Sequence, residues 1–225
     1  MKSPTLHAIA LYLLLAAAGP ASAASGASAF HENGQYQRIS PPVPTQVEDG
    51  KIEVVEMFFY ACPHCYALAP KIKEWLKHKP DDVSFRRVPA IVGPTWADQA
   101  RAYYIAEALG MLDTFDDAFF DDIHKNGNQY YNQYSITRFL VEQGADEAEV
   151  ARLYDSAEIT EKASQARILT VKYGLRGVPA IIVAGKYKTA SYYTRNLDEM
   201  LKVVDVLIDR ARNDAKANSN PEPTP

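Results

Sequence analysis

The strongest constraint on this chain is a pair of cysteines, Cys62 and Cys65, placed where one residue pattern gives way to another. Residues 52–59 (IEVVEMFF) are β-branched, aromatic or otherwise apolar almost throughout, which is typical of a strand covered on both faces. After the cysteines, apolar residues recur at helical spacing as far as Leu76. The cysteine pair is therefore predicted to lie where a strand turns into a helix.

The rest of the chain predicts an α/β domain that is split by helices. Residues 83–88 and 178–183 have strand patterns, and a turn after the latter leads into a short partner strand over 186–189. Residues 95–174 contain successive helical patterns and no convincing strand. A last amphipathic helix follows Asn196, a candidate N-cap. This order predicts an α/β domain interrupted by an inserted all-helical domain.

Local signals set the limits of these parts. Thr95 and Asp98 form a candidate capping pair at the first inserted helix. From Asn213 onward the chain is polar and proline-rich, and we predict a disordered tail there. The predicted divisions are a signal peptide over 1–23, a lead-in segment over 24–44, a discontinuous α/β domain over 45–94 and 175–212, a helical insertion over 95–174 and a tail over 213–225.

The first residues have a secretory layout. Lys2 precedes an apolar run over 8–18, and Ala21-Ser22-Ala23 forms a small-residue cleavage site before Ala24. The apolar run is short for a bilayer span, so we predict a cleaved signal peptide, with an uncleaved anchor as the alternative. Export to an oxidising compartment allows disulfides to form. The chain has only two cysteines, so within it each can pair only with the other.

The composition excludes one class of partner. Apolar residues make up 47% of the chain, which is ordinary for a folded soluble domain. The formal net charge is -4, and no basic stripe is visible. Since nucleic-acid binding depends on clustered Lys and Arg, we expect no nucleic-acid partner.

The spacing of the two cysteines suits redox chemistry. A helix N-terminus stabilises negative charge, so Cys62 is expected to form a reactive thiolate there, with Pro63 at the first helical position. Cys65 lies one turn later, within reach and more shielded from solvent. His64 is placed to tune the thiolate. A structural disulfide across so short a loop would stabilise little, and a zinc site lacks further paired ligands, so we predict neither a metal nor a cofactor.

Two segments carry a family resemblance. The stretch FFYACPHCYALAP, together with RGVPAIIVAGKY farther along the chain, resembles the DsbA family of periplasmic thiol-disulfide oxidoreductases. The resemblance covers roughly residues 45 to 212 and implies a thioredoxin fold with a helical insertion. It also implies a monomer that donates disulfides to reduced exported polypeptides and is reoxidised by a membrane quinone-linked protein resembling DsbB.

The resemblance further implies roles for single residues. Cys62 matches the exposed nucleophile, Cys65 the buried resolving cysteine, and Pro63-His64 the dipeptide that tunes oxidising power. Pro179 matches a cis-proline beside the site, where the backbone of Val178 would pair with substrate; from the residues alone, a trans proline is the alternative. Glu56 matches a buried acid that transfers protons to the resolving cysteine.

The residues also leave alternatives open. An acid in an apolar strand should have a raised pKa, but Glu56 could instead face water at a strand end. Phe58 and Phe59 are expected to pack in the core, and packing is favoured also for the tyrosines at 130, 131 and 134. The alternative functions are a client-specific oxidase, a reductase or an isomerase, and, from another class, a peptide-binding chaperone whose cysteines are incidental.

Overall fold

The computed structural model describes residues 30–219, which form a five-stranded mixed sheet with seven helices. The strands are β1 (Gln37–Arg38), β2 (Ile52–Phe58), β3 (Val83–Pro89), β4 (Ala180–Val183) and β5 (Tyr187–Ala190). The helices are α1 (Pro63–Leu76), α2 (Pro94–Ala108), α3 (Leu112–His124), α4 (Gln133–Glu142), α5 (Glu147–Tyr154), α6 (Ala157–Lys172) and α7 (Leu197–Ser219). The predicted signal peptide lies outside the described residues.

Strand β2 organises the sheet, whose order is β1-β5-β4-β2-β3. It pairs in parallel with β3 and antiparallel with β4, and all seven of its residues are buried. Its side chains divide between two cores: Val54 packs in one hydrophobic cluster and Val55 in the other. A nearly continuous apolar run is what such a two-sided position requires.

The two faces of the sheet are covered differently. On one face, α1 and α7 contribute Leu68, Ile72, Val204 and other side chains to a shared cluster. The other cluster joins the sheet to the helices α2–α6, which follow one another between β3 and β4. The helical insertion therefore packs directly against the strand that leads to the cysteines.

The lead-in segment predicted over 24–44 contributes a strand to the sheet. It packs against the domain: Tyr36 is buried, and β1 pairs antiparallel with β5 at the edge of the sheet. Prolines just after β1 are compatible with this position because an edge strand has one unpaired side.

Two sequence-based boundaries are wrong. The last helix continues to Ser219, whereas the sequence predicted a disordered tail from Asn213. The extension has a physical basis, since Ala211 is buried and the Tyr187 hydroxyl donates to the Asp214 carboxylate at 2.7 Å. The capping pair of Thr95 and Asp98 is the second error.

Helix α2 begins one residue earlier, at Pro94, with Gly93 as N-cap and no side-chain cap. Proline is favoured at the first helical position because the N–H that it lacks has no intrahelical partner there. Asp98 instead accepts a hydrogen bond from the Tyr154 hydroxyl at 2.6 Å. Within residues 30–219, none of the helices combines the length and apolar character that a membrane crossing needs.

The turn between β4 and β5 gives a stability prediction. Gly185 has a φ of +61°, and a Cβ there would lie 1.9 Å from the Val43 carbonyl oxygen. G185A should lower the free energy of unfolding by about 3–4 kcal/mol, because it combines backbone strain with this collision. G144A is the matched control: Gly144 also has a positive φ, but no atom lies within 4 Å of its added Cβ. G144A should lower the free energy of unfolding by only about 1–2 kcal/mol.

Urea unfolding of the two variants measures this difference. Equal losses for G185A and G144A would show that the contact between the turn and the lead-in segment does not constrain the fold.

Candidate active site

The two cysteines lie where β2 meets α1. After β2 ends at Phe58, the Cys62 N–H donates to the Phe59 carbonyl at 3.0 Å and closes a tight turn. Cys62 has extended backbone and is the N-cap of α1, and Pro63 is its first residue. This start of the helix leaves the first-turn N–H groups free of intrahelical partners and close to Cys62.

The two sulfurs are solvated differently. Both cysteines are free thiols, but Cys62 is half-buried whereas Cys65 has no exposed surface. Cys65 belongs to the buried face of α1, together with Leu68 and Ile72. A peptide approaching from solvent therefore has access to Cys62 and not to Cys65.

This difference separates the acidities of the two thiols. The pKa of Cys62 is lowered to about 6. The largest cause is a hydrogen bond from Cys65, and burial opposes it with a smaller effect. The N–H groups of Cys65 and His64 and the charge of His64 lower it further. Burial, followed by the interaction with Cys62, raises the pKa of Cys65 well above its ordinary value. Near neutral pH, Cys62 is a thiolate and Cys65 a thiol.

The predicted dipeptide and the predicted proline lie on two sides of Cys62. Pro63 and His64 are exposed on the first turn of α1. The Val178–Pro179 peptide bond is cis, and both residues are buried. The Cys62 sulfur lies 3.4 Å from the Val178 carbonyl oxygen and donates to it when protonated, although the two residues are 116 positions apart. The structure thus brings together the motif and the distant Val-Pro dipeptide.

Glu56 is buried in the middle of β2 and does not face water. Its carboxylate accepts a hydrogen bond from Arg87 Nε at 2.8 Å, and the two residues are register partners across β2 and β3. Burial raises the pKa of Glu56, and the Arg87 charge offsets only part of this effect. The charge of Glu56 in turn contributes to the raised pKa of Cys65. The two groups are therefore electrostatically coupled.

Sequence reasoning missed the network around this pair. Arg87 also donates to Asp116 of α3, and Asp116 accepts a hydrogen bond from the Tyr60 hydroxyl. The Arg87 guanidinium lies over the Phe58 ring, 4.0 Å from its centroid. Glu56 and Arg87 have opposite charges and lie in two predicted strands, which could have indicated an ion pair. Nothing in the sequence indicated that Asp116 would join it.

The aromatic residues divide between core and surface. Phe58 and Tyr60 are fully buried, and Phe59 stacks on Trp96 with 3.9 Å between ring centroids. Tyr130 is buried, so packing is confirmed for it. The other two tyrosines of that region, Tyr131 and Tyr134, are exposed, so packing is wrong for them. Within residues 30–219, no group of three or more His, Cys, Asp or Glu side chains is arranged to hold a metal ion.

Comparison with known sequences gives one family. Residues 53–202 match the model of the DSBA-like thioredoxin domain. The thiol:disulfide interchange protein DsbA of Burkholderia cepacia is 32% identical over 213 residues, covering 95% of this chain and 97% of that protein. The protein of the same name from Azotobacter vinelandii is 36% identical over 179 residues, covering 80% of this chain and 83% of the relative.

Comparison with solved structures agrees. The crystal structure of Pseudomonas aeruginosa DsbA matches with a TM-score of 0.78 at 35% identity, covering 83% of this chain and 97% of that one. DsbA from Xylella fastidiosa matches with a TM-score of 0.75 at 30% identity, covering 81% and 98%. The predicted thioredoxin fold with a helical insertion is thereby confirmed. The chain belongs to the DsbA-like thioredoxin family and is a thiol-disulfide oxidoreductase.

Proposed function

We propose that this protein donates the Cys62–Cys65 disulfide to reduced exported polypeptides through a mixed disulfide on Cys62. The observation that carries the proposal is the contrast between a half-buried, acidic Cys62 and a fully buried, weakly acidic Cys65. A dithiol of this kind favours its reduced form, because reduction produces a stabilised thiolate. Its disulfide is accordingly a strong oxidant.

The first step transfers one sulfur bond. A substrate thiolate attacks Cys62 of the disulfide, a bond forms between these two sulfurs, and the Cys62–Cys65 bond breaks with its electron pair on Cys65. Only Cys62 is reached from solvent, so attack there is the favoured direction. The Cys65 thiolate, whose pKa is raised by burial, then takes up a proton.

The second step releases the product. A second substrate thiolate attacks the substrate sulfur of the mixed disulfide and displaces Cys62 as a thiolate. The substrate loses two electrons and gains a disulfide, and the protein is left reduced. A leaving group departs faster when its pKa is low, so the groups that acidify Cys62 serve this step.

Two further groups have proposed roles. The backbone of Val178, whose carbonyl faces the Cys62 sulfur, is placed to pair with an extended substrate beside the attacking thiolate, and Pro179 fixes its orientation. Glu56 is proposed as the proton carrier for Cys65, because burial in the sheet raises its pKa toward neutrality. Pro63 and His64 are proposed to tune the Cys62 thiolate from the first turn of α1.

The site is proposed to work as a monomer in the periplasm. The support is the secretory layout of the first residues and the similarity to thiol:disulfide interchange proteins named DsbA. Each turnover leaves the dithiol reduced, so an external oxidant is needed. We propose a membrane quinone-linked protein resembling DsbB for this role. A reductase or isomerase would be favoured by a less acidic Cys62.

The acidity of Cys62 gives a pH prediction. Its folded-state pKa of about 6 lies below the value of about 8.5 for an unfolded cysteine. An acidic group whose pKa is lower in the folded state stabilises that state. For Cys62 the contribution is fully present when the pH is above the unfolded-state pKa, and it is lost as the pH falls through 6. The stability of the reduced protein relative to the oxidised one should therefore increase between pH 6 and 8.5. Urea unfolding of both forms across this range measures it, and a flat difference would contradict an acidic Cys62.

The mixed disulfide gives a trapping prediction. C65A should retain covalently bound thiol peptides on Cys62, because no second sulfur is left to release them. Its Cys62 should also be less acidic than in the wild type, because the Cys65 hydrogen bond is the largest acidifying effect. Mass spectrometry after incubation with oxidised peptide detects the adduct. With C62A as the control, no adduct is expected at the buried Cys65; equal labelling of both variants would contradict the assignment of roles.

The proposed role of Glu56 predicts a kinetic effect. E56Q keeps an oxygen acceptor for Arg87 but cannot carry a proton, so disulfide transfer to a model dithiol peptide should slow by about tenfold or more. The alkylation midpoint of Cys62 should stay near its wild-type value, because Glu56 is not among the main groups that set it. Stopped-flow transfer rates across pH test this. A rate and pH profile identical to those of the wild type would exclude the proton-carrier role.

A further inference from the structure

One peptide group beside the cysteines is held from both ends by the helical insertion. It is the group that joins Tyr60 to Ala61, immediately before Cys62. Its carbonyl oxygen lies 2.7 Å from Nε2 of His124, the last residue of α3. Its N–H donates to Oε1 of Gln99 on α2 at 3.1 Å. Side chains from two helices of the insertion therefore hydrogen-bond to the same peptide group.

The chemistry of both contacts is unambiguous. A carbonyl oxygen only accepts, so His124 must donate through an Nε2–H. A backbone N–H only donates, so the Gln99 amide presents its oxygen. Neither side chain is free to turn away. Gln99 is buried within α2, and the His124 ring stacks on Tyr66 with 4.7 Å between centroids and 11° between planes.

Tyr60 adds a third attachment to the insertion. Its ring is fully buried among phenylalanines of α3, with 4.8 Å between the centroids of Tyr60 and Phe119. Its hydroxyl donates to Asp116 of the same helix. The side chain locates the residue, and the turn bond from the Cys62 N–H to the Phe59 carbonyl encloses the following peptide. That bond is compatible with either orientation of the central peptide plane, which is selected by the contacts of His124 and Gln99.

That rotation governs the position of the reactive sulfur. The plane between residues 60 and 61 sets ψ of Tyr60 and φ of Ala61, which together direct the chain into Cys62. Cys62 in turn must face the free N–H groups of the first turn of α1. A small change in the plane is therefore passed on to the distance between the Cys62 sulfur and these donors.

We propose that Gln99 and His124 are positioning residues of the redox site, and that by clamping the Tyr60–Ala61 peptide they hold Cys62 against the first turn of α1. The helical insertion thereby adjusts the reactivity of a cysteine that belongs to the other domain. This inference rests on the proposed function, since it concerns the same thiolate.

Two substitutions of His124 separate positioning from packing. H124F keeps an aromatic ring to stack on Tyr66 but removes the donor. H124Q places an amide N–H near the position of Nε2 but removes the ring. Neither variant has a titratable charge at this position, so the two differ only in which feature they keep: a role of the donor predicts a shift in H124F, and a role of packing predicts a shift in H124Q. Q99M removes the acceptor at nearly constant size and tests the other end of the peptide.

The readout is the pH midpoint of Cys62 alkylation in the reduced protein, measured beside thermal stability. H124F and Q99M should raise the midpoint by about half a unit, the equivalent of part of one hydrogen bond. H124Q should keep a midpoint near that of the wild type even though it loses stacking and stability. H78F, in the exposed turn that follows α1, is the control and should leave the midpoint unchanged.

The double variant Q99M/H124F tests whether the two residues act on one group. Releasing one end of the peptide already frees its rotation, so the combined shift should be smaller than the sum of the single shifts. Should H124F fail to fold, Q99M alone still decides whether the midpoint moves.

Two results would overturn the proposal: unchanged midpoints in H124F and Q99M, or an H124Q midpoint that rises as far as that of H124F. The latter would show that a donor at position 124 does not hold the peptide, because H124Q, which keeps an N–H, would protect the midpoint no better than H124F. Failure of the proposed function is distinguishable, because it would appear in the wild type itself as a midpoint near 8.5. A wild-type midpoint near 6 with unmoved variants contradicts the clamp alone.

Discussion

The site depends on the unequal solvation of two sulfurs that are one helical turn apart. The amphipathic character of α1 produces this inequality. Cys65 lies on the buried face of the helix with Leu68 and Ile72, whereas Cys62 precedes the first helical residue and stays at the surface. Burial penalises a charge on Cys65, and the hydrogen bond from Cys65, together with the first-turn N–H groups, favours one on Cys62. The same local fold that places the sulfurs together therefore assigns them opposite acidities.

The sheet then gathers distant residues around this point. Because β2 lies between β3 and β4, Glu56 has Arg87 on one side and Ile181 on the other. Strand β4 begins at Ala180, directly after Pro179. The strand pairing that buries Glu56 therefore also brings Val178 to the Cys62 sulfur. A shift of one residue in the β2–β3 register would place Arg87 on the opposite face from Glu56, and one in the β2–β4 register would move Val178 away from Cys62.

Features coded locally could be predicted from the sequence. The strand run, the proline after Cys62 and the apolar spacing of α1 placed the dithiol correctly at a strand-to-helix junction. The end of α7 was misplaced, because the packing of Ala211 and Asp214 against the sheet domain is not visible in a polar sequence. Asp116, Gln99 and His124 carried no signal either. Their contacts depend on how the insertion packs on β2, which no local periodicity records.

The insertion consequently has a larger part in the site than its position in the chain suggests. Without it, the buried rings of Phe58 and Tyr60 would face water, and Arg87 would lose the second of its two carboxylates. Buried ionic groups are tolerated only when each charge keeps its partners, so the Glu56–Arg87 pair depends on Asp116 as well. Asp116 is also partly exposed, so the ion-pair network that contains the buried Glu56 extends to the solvent. The helices that cover β2 therefore complete the charge balance around Glu56, the proposed proton carrier of the dithiol.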